Sequence, residues 1–317
     1  MNRQTLSRVE SAVRETMQHC ASIQPESAVM IVCSKPSQNL AEIFRAIAEE
    51  TCTEAFLICS QGQIWRHSAL GKSFRHILPN VDTTFFVHSE ISPAVLPLKE
   101  TAFRGGRFIC IPANRPETFL RWARLKVNRI AEKTIKISEI LSIGRELEIG
   151  SADKASLKMS IQRKRGLPDV GRLLENTSFC SLPAGEVRIQ PVQSSIHGQI
   201  FVDKIAGTAC PNNEGTTLFV KEGKISRIKG QGAVANMLRR RFRNADKEIL
   251  EFSIGVNEHF SFGKNYYEDK RVLGAVSLSF KKTTNDRPSA PLSAISSSPN
   301  VFIDGRKIMN DGASILV

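Results

Sequence analysis

Leu182-Pro183-Ala184-Gly185-Glu186-Val187, Leu250-Glu251-Phe252-Ser253-Ile254-Gly255-Val256-Asn257 and Val301-Phe302-Ile303-Asp304-Gly305 are the stretches on which the reading of this chain turns. Each sets a carboxylate into or beside a short apolar, strand-like run bounded by glycine or proline. A lone carboxylate pointing inward from such a strand needs a cation or donors, and Lys270 or Arg271 is available to Glu251. Glu186 reads in two ways: as a group satisfied by backbone donors or a lysine or arginine, or as a ligand or substrate contact.

Around these stretches, from about Gly144 onward, apolar residues alternate rather than recur at helical spacing. Leu147 to Ile149, Ser156 to Ile161, Glu186 to Ile189, Ile200 to Ile205, Thr216 to Val220, Lys224 to Ile228 and Val272 to Phe280 read as short strands. Lys221-Glu222-Gly223 reads as a hairpin loop. One helix is expected over Gly232 to Asn244, with Val234, Met237, Leu238 and Phe242 on one face and arginines on the other. Thr283 to Ser298, dense in Ser, Pro and Asn, reads as a loop.

The preceding residues follow a different pattern. Ala28 to Cys33, Glu54 to Cys59, Thr84 to His88 and Arg107 to Ile111 are apolar runs of strand length, and Asn39 to Glu50 has helical spacing through Leu40, Ile43, Phe44 and Ile47. Thr101 to Ile111 reads as helix, glycine stop and buried strand. Apolar stripes from Pro116 through Leu125 and from Lys133 to Leu141 read as helices leading into the second domain. The expected fold is therefore α/β plus α+β: a doubly wound, mostly parallel sheet in 1-143 and a mostly antiparallel, β-rich domain in 144-317. The loop Ser34-Lys35-Pro36-Ser37 lacks the glycines of a pyrophosphate site, and no Gly-x-x-x-x-Gly-Lys occurs, which argues against a nucleotide.

At 317 residues and 41% hydrophobic content the chain is long enough for two cores. No run of about 18 apolar residues occurs and the polar N-terminus lacks a signal pattern, so a cytoplasmic protein with no membrane partner is expected. Its seven cysteines read as buried reduced thiols. The net charge of +13, clustered at Arg163-Lys164-Arg165 and Arg239-Arg240-Arg241-Phe242-Arg243, suits an acidic peptide; no nucleic-acid module accompanies it. No Gly-x-Ser-x-Gly occurs, and Cys180 and Cys210 lack a recognisable histidine partner, which argues against triad hydrolysis.

In order and spacing, the three opening stretches resemble the thermophilic-type leucine aminopeptidases and the related iron-dependent 2,5-dihydroxypyridine dioxygenases. The resemblance spans nearly the whole chain and implies their aminopeptidase-like fold and a cleft in the second domain. It places Glu186 and Glu251 at active-centre positions. It also places Ser277, in Gly274-Ala275-Val276-Ser277 after Glu268-Asp269-Lys270, where the family has a histidine, and Pro291 and Ser293 where it has His-x-Asp. The late histidines, His197 and His259, match no ligand position, so the imidazoles that either chemistry needs are missing.

The resemblance thus implies a catalytically silent, vestigial metal cleft formed by Glu186, Glu251, Asn257, His259, Lys270 and Ser277, with Tyr266 and Tyr267 lining it and no cofactor. Metal-less members of the wider group resemble peptide-binding proteins of ribosomal natural-product pathways, the crocagin type among them. The implied role is to hold a peptide, possibly an acidic precursor, for a modifying enzyme, in a homodimer. The alternative is a metal-dependent hydrolase or non-haem iron oxygenase using Zn, Mn or Fe, with a rearranged ligand set of Glu186, Glu251, His259 and Asp269.

Overall fold

The computed structural model describes residues 1–60, 80–88, 106–123, 127–150, 156–174, 178–208, 215–243, 247–280 and 292–314. The helix and glycine stop expected over 101–105, Leu125, Asn244, Cys210 and residues 283–291, Pro291 included, lie outside them. Two compact units are formed. The first contains Met1–Val127 and Val170–Ala184, and the second contains Asn128–Asp169 and most of the chain from Gly185 on.

The first unit alternates α1 (Arg3–Glu15), β1 (Ala28–Ser34), α2 (Gln38–Thr51), β2 (Glu54–Ser60), β3 (Thr83–Val87), β4 (Arg107–Ile111) and α3 (Pro116–Ala123). A late strand, β8 (Phe179–Ser181), joins them in a parallel sheet of order β2-β1-β3-β4-β8, which reverses direction at β1 as a doubly wound sheet does. Val29 to Cys33 have no exposure, so β1 is buried on both faces, which is why its sequence is continuously apolar rather than alternating. On one face the Phe44 ring of α2 lies 5.3 Å from Phe85 and 5.2 Å from Phe119; on the other, Met30, Val32, Phe86, Phe108 and Cys110 pack together.

The second unit begins within α4 (Val127–Ile143), whose Ile137 and Leu141 enter this unit's core. A division at 143/144 therefore differs from the observed units in two places: α4 packs with the β-rich part, and β8 belongs to the first sheet.

Among the described residues, fourteen strands of this unit form two antiparallel sheets. The larger contains β5 (Glu146–Gly150), β6 (Ser156–Ser160), β10 (His197–Val202), β12 (Thr216–Lys221), β13 (Lys224–Lys229), β17 (Asn300–Ile303), β18 (Arg306–Asn310) and β19 (Ala313–Ser314), in the order β13-β12-β10-β6-β5-β17-β18-β19. The smaller contains β7 (Leu167–Asp169), β9 (Glu186–Ile189), β11 (Lys204–Ile205), β14 (Ile249–Gly255), β15 (Val276–Phe280) and β16 (Ser293–Ser296), in the order β11-β16-β15-β14-β9-β7. The helices α5 (Ala233–Arg241) and α6 (Tyr266–Asp269) belong to the same unit. One core joins the apolar faces of the sheets, among them Leu147, Leu157 and Val301 from the larger and Val187, Phe252, Ile254 and Leu278 from the smaller.

The structure corrects the loop expected over Thr283 to Ser298. Ser293–Ser296 is a strand between β15 and β11, with Ala294 and Ile295 fully buried. Serine-rich composition mimics a loop, but here the Ser293 hydroxyl is bonded across the ladder to Ser279. The strand expected from Val272 starts only at Val276, because the preceding residues turn back towards β14. In the third opening stretch Asp304 is structural: its carboxylate accepts the amides of Arg145 and Glu146 at 3.0 and 2.8 Å beside the tight β17–β18 turn. Among the described residues Cys20, Cys33, Cys110 and Cys180 are buried, and burial pushes the Cys20 thiol up to about 11. No helix among them is long and apolar enough to cross a membrane.

Candidate functional site

The six-stranded sheet has two unlike faces. Residues facing the core alternate with Asp169 on β7, Glu186 and Arg188 on β9, Glu251 and Ser253 on β14, Ser277 and Ser279 on β15, and Ser293 on β16. Register sets these polar residues side by side: Asp169 opposite Glu186, Arg188 opposite Ser253, Ser253 opposite Ser277, Glu251 opposite Ser279, and Ser279 opposite Ser293. A period of two places all of them on one side of the pleat. Most are buried, so this face is a polar interior rather than a solvated surface.

The segment that closes over this face is held close by glycine. A Cβ on Gly255 would lie 2.2 Å from the Val272 carbonyl oxygen and 2.9 Å from that of Lys270, so only glycine lets the chain at 270–272 lie against β14. The amide of Asn257 donates to Arg271 O at 2.9 Å and that of Leu273 to Asn257 O at 3.0 Å, fixing the approach. Gly185, at φ +106°, does the same for Glu186: its amide donates to Asp169 O and its carbonyl accepts from Val256 N, both at 2.9 Å.

Just ahead of Lys270, α6 is clamped at both ends. Asn265 Oδ1 accepts the amides of Tyr267 and Glu268, and its Nδ2 donates to Glu268 Oε1 at 2.8 Å. The Asp269 carboxylate accepts the amides of Gly207 and Gly263, both at 2.9 Å. Burial nonetheless pushes the Asp269 carboxyl up from its ordinary value.

This scaffold delivers two cations into the polar interior. Lys270 Nζ lies 2.7 Å from Glu186 Oε1 and 3.7 Å from Glu251 Oε1, above the Tyr266 ring at 5.8 Å. The Glu186 contact is ionic rather than directional, since that oxygen has no aligned hydrogen bond. Arg271 Nη2 lies 2.5 Å from Asp169 Oδ2, and its Nη1 lies 3.4 Å from Glu186 Oε2 and donates to Tyr267 O at 2.9 Å. Arg188 Nη1 lies 3.7 Å from Glu251 Oε2. Three carboxylates thus meet three cations. The serines form a hydroxyl chain beside them: Tyr266 OH to Ser293 at 3.0 Å, Ser293 to Ser279 at 2.8 Å, and Lys270 Nζ to Ser279 at 3.4 Å; Ser253 and Ser277 pair separately at 2.6 Å.

Electrostatics follow from the geometry. Burial pushes the Glu186 carboxyl up, but the charges of Lys270, Arg271 and Arg188 outweigh it and hold the group down at about 2. Burial disfavours the Lys270 ammonium, yet Glu186 above all holds it charged, above the ordinary lysine range. At neutral pH Glu186 has no proton to give as a general acid, and Lys270 has no lone pair for nucleophilic attack.

A metal implied by the family resemblance does not fit these residues. Ligand oxygens must be open to the ion, whereas the Glu186 and Glu251 oxygens face an ammonium and guanidinium groups, and Ser277 bonds to Ser253. The rearranged set is not assembled either: Asp269 faces backbone amides, and His259 is an exposed turn residue whose amide donates to Asn257 Oδ1 at 3.0 Å. Among the described residues no three His, Cys, Asp or Glu side chains are grouped to hold a metal ion.

Of the residues singled out in the sequence, Glu186, Glu251, Lys270, Ser277 and Tyr266 belong to this interior. Buried Asn257 positions it, and Tyr267 joins through its carbonyl. Sequence reasoning misses Asp169, Arg188, Ser253 and Ser279; the last three stand two residues after Glu186, Glu251 and Ser277 on the same strands, whereas Asp169 comes from β7.

Solved structures of other proteins share this architecture. That of 2,5-dihydroxypyridine dioxygenase from Pseudomonas putida KT2440 superposes with a TM-score of 0.76 at 14% identity, covering 100% of this chain and 98% of that one. Wild-type AmpT from Thermus thermophilus superposes at 0.64 and 10% identity, covering 98% of this chain and 99% of that one. The chain has their fold. It is the two-domain, aminopeptidase-like arrangement of a parallel α/β sheet and antiparallel sheets. No family model matches the sequence, and no curated protein matches it either.

Two outcomes are expected from the ion cluster. Lys270→Met leaves Glu186 and Glu251 short of a buried cation and lowers stability by roughly 3 to 5 kcal/mol in urea unfolding, whereas Lys270→Met combined with Glu186→Gln recovers a large part of that loss. Because the Glu186 carboxyl lies lower in the fold than its ordinary 4.5, its contribution is complete above that value and is lost as pH falls through about 2. The stability gap between the native chain and Glu186→Gln should therefore narrow steadily from about pH 5 towards pH 2, as read from urea midpoints.

Proposed function

We propose that this chain is a catalytically silent binding protein on an aminopeptidase-like fold, and that it holds a peptide. The observation that carries the reading is the Lys270 ammonium, 2.7 Å from Glu186 and 3.7 Å from Glu251. A fixed organic cation stands between the two carboxylates that the family resemblance assigns to the active centre, so they serve to hold Lys270 in place rather than a metal ion. Without open ligand positions the interior has no means of activating water or oxygen.

The peptide as ligand is supported by the resemblance to peptidases, whose clefts accept an extended chain, and by the strongly positive charge of the protein. On this reading the protein recruits or orients a precursor peptide for a modifying partner enzyme, as a homodimer and without a cofactor.

The test is turnover and binding on the same preparation. Incubated with Zn, Mn or Fe(II), the protein should release nothing from aminoacyl amide substrates and consume no dihydroxypyridine above the protein-free rate, while peptide binding measured by calorimetry persists in EDTA. Metal-dependent turnover that is abolished by Glu186→Ala would reverse the assignment in favour of a metal-dependent enzyme.

A further inference from the structure

The 28 residues from Lys221 to Glu248 hold nine Lys and Arg against three Asp and Glu, close to half of the chain's net charge of +13. The described residues among them include the end of the β12–β13 hairpin, β13 and α5, at one edge of the eight-stranded sheet. Lys221, Lys224, Arg227, Lys229, Arg239, Arg240, Arg241, Arg243 and Lys247 are all exposed. Among the described residues, Lys224, Arg227, Lys229, Arg240 and Arg243 have no carboxylate within 4.0 Å. Lys270, Arg271 and Arg188 of the same unit are, by contrast, fully engaged with acids. Like charges concentrated in this way repel one another and create a positive potential that an anionic partner relieves.

Two details narrow the partner. Arg239 spans from α5 to β13, donating to Gly230 O at 2.6 Å and Ile228 O at 3.3 Å, so part of this strand edge is already covered and a partner meets the patch through side chains. The nearby aromatic rings are also engaged: the Arg227 guanidinium lies over Phe219 at 4.6 Å, and Phe242 is buried 4.9 Å from Phe280. Single-stranded nucleic acid gains much of its affinity from bases stacked on open aromatic faces, and this patch presents none. Carboxylates need only the guanidinium forks and ammonium groups.

We propose that the β13–α5 edge is a docking surface for an acidic peptide segment, a run rich in Asp and Glu side chains. This rests on the binding reading above for the partner's being a peptide, and adds its chemical class and its place on the fold.

The test is fluorescence anisotropy on the full chain with three labelled probes: a peptide of about 20 residues alternating Glu and Ser, its Gln-for-Glu counterpart, and a single-stranded RNA of about 20 nucleotides. The acidic peptide should bind at least about ten-fold more tightly than the Gln peptide and lose affinity steeply as salt rises. Arg227→Glu/Lys229→Glu/Arg240→Glu should weaken it by at least about ten-fold, while Arg3→Glu/Arg8→Glu/Lys136→Glu, with the same change in net charge on exposed residues elsewhere, should leave it within about two-fold. Equal weakening by both triple variants, or tighter binding of RNA than of the acidic peptide, would overturn the surface. Equal binding of the acidic and Gln peptides overturns the surface and leaves the peptide reading standing, whereas binding of neither peptide overturns both.

Discussion

A carboxylate taken out of water must meet a positive charge, and in the second unit the Lys270 ammonium supplies it to Glu186 and Glu251 together. Much of the surrounding architecture serves this pairing. Gly255 gives the backbone room at 270–272, the Asn265 cap and the Asp269 carboxylate fix the short helix before it, and Arg271 and Arg188 balance the remaining charge. A metal site solves the same electrostatic problem with a divalent ion and open coordination positions. Here the cation belongs to the chain itself, and the carboxylates face its ammonium and two guanidinium groups.

The polar face of the six-stranded sheet also shows how a sheet accommodates a buried polar interior. Ser253 and Ser277 occupy paired register positions and bond to each other, while Ser279, Ser293 and Tyr266 link into a hydroxyl chain beside the ammonium. Small hydroxyl side chains fill the space next to the ion cluster and satisfy one another, as a low-dielectric interior demands. Within it the surrounding cations hold the Glu186 carboxyl ionised, and Glu186 holds the Lys270 ammonium charged.

Much of this was legible in the sequence because burial imposes a period. The continuous apolar runs of β1 to β4 and the alternation of the later strands point to both fold classes, and the need of an inward Glu251 for a cation points to Lys270 or Arg271, of which Lys270 reaches it. What was not legible depends on long-range placement. Phe179 to Ser181 is too short to announce itself as the fifth strand of the first sheet, and the stripe of α4 is the same whichever core it enters. Ser293 to Ser296 carries the composition of a loop, and only its pairing with β15 shows why serine is tolerated in a buried strand. Asp169 joins the cluster through register between β7 and β9, which no local window contains.

If Lys270 stands where a metal ion would have to bind, the two carboxylates should stay free of metal even when it is supplied in excess. Crystals of the protein grown with excess Mn(II) or Zn(II), with anomalous data collected at the metal edge, test it most directly. No anomalous peak is expected within coordination distance of Glu186 or Glu251, with the Lys270 ammonium in density between them. A peak ligated by both carboxylates, with Lys270 turned away, would contradict it.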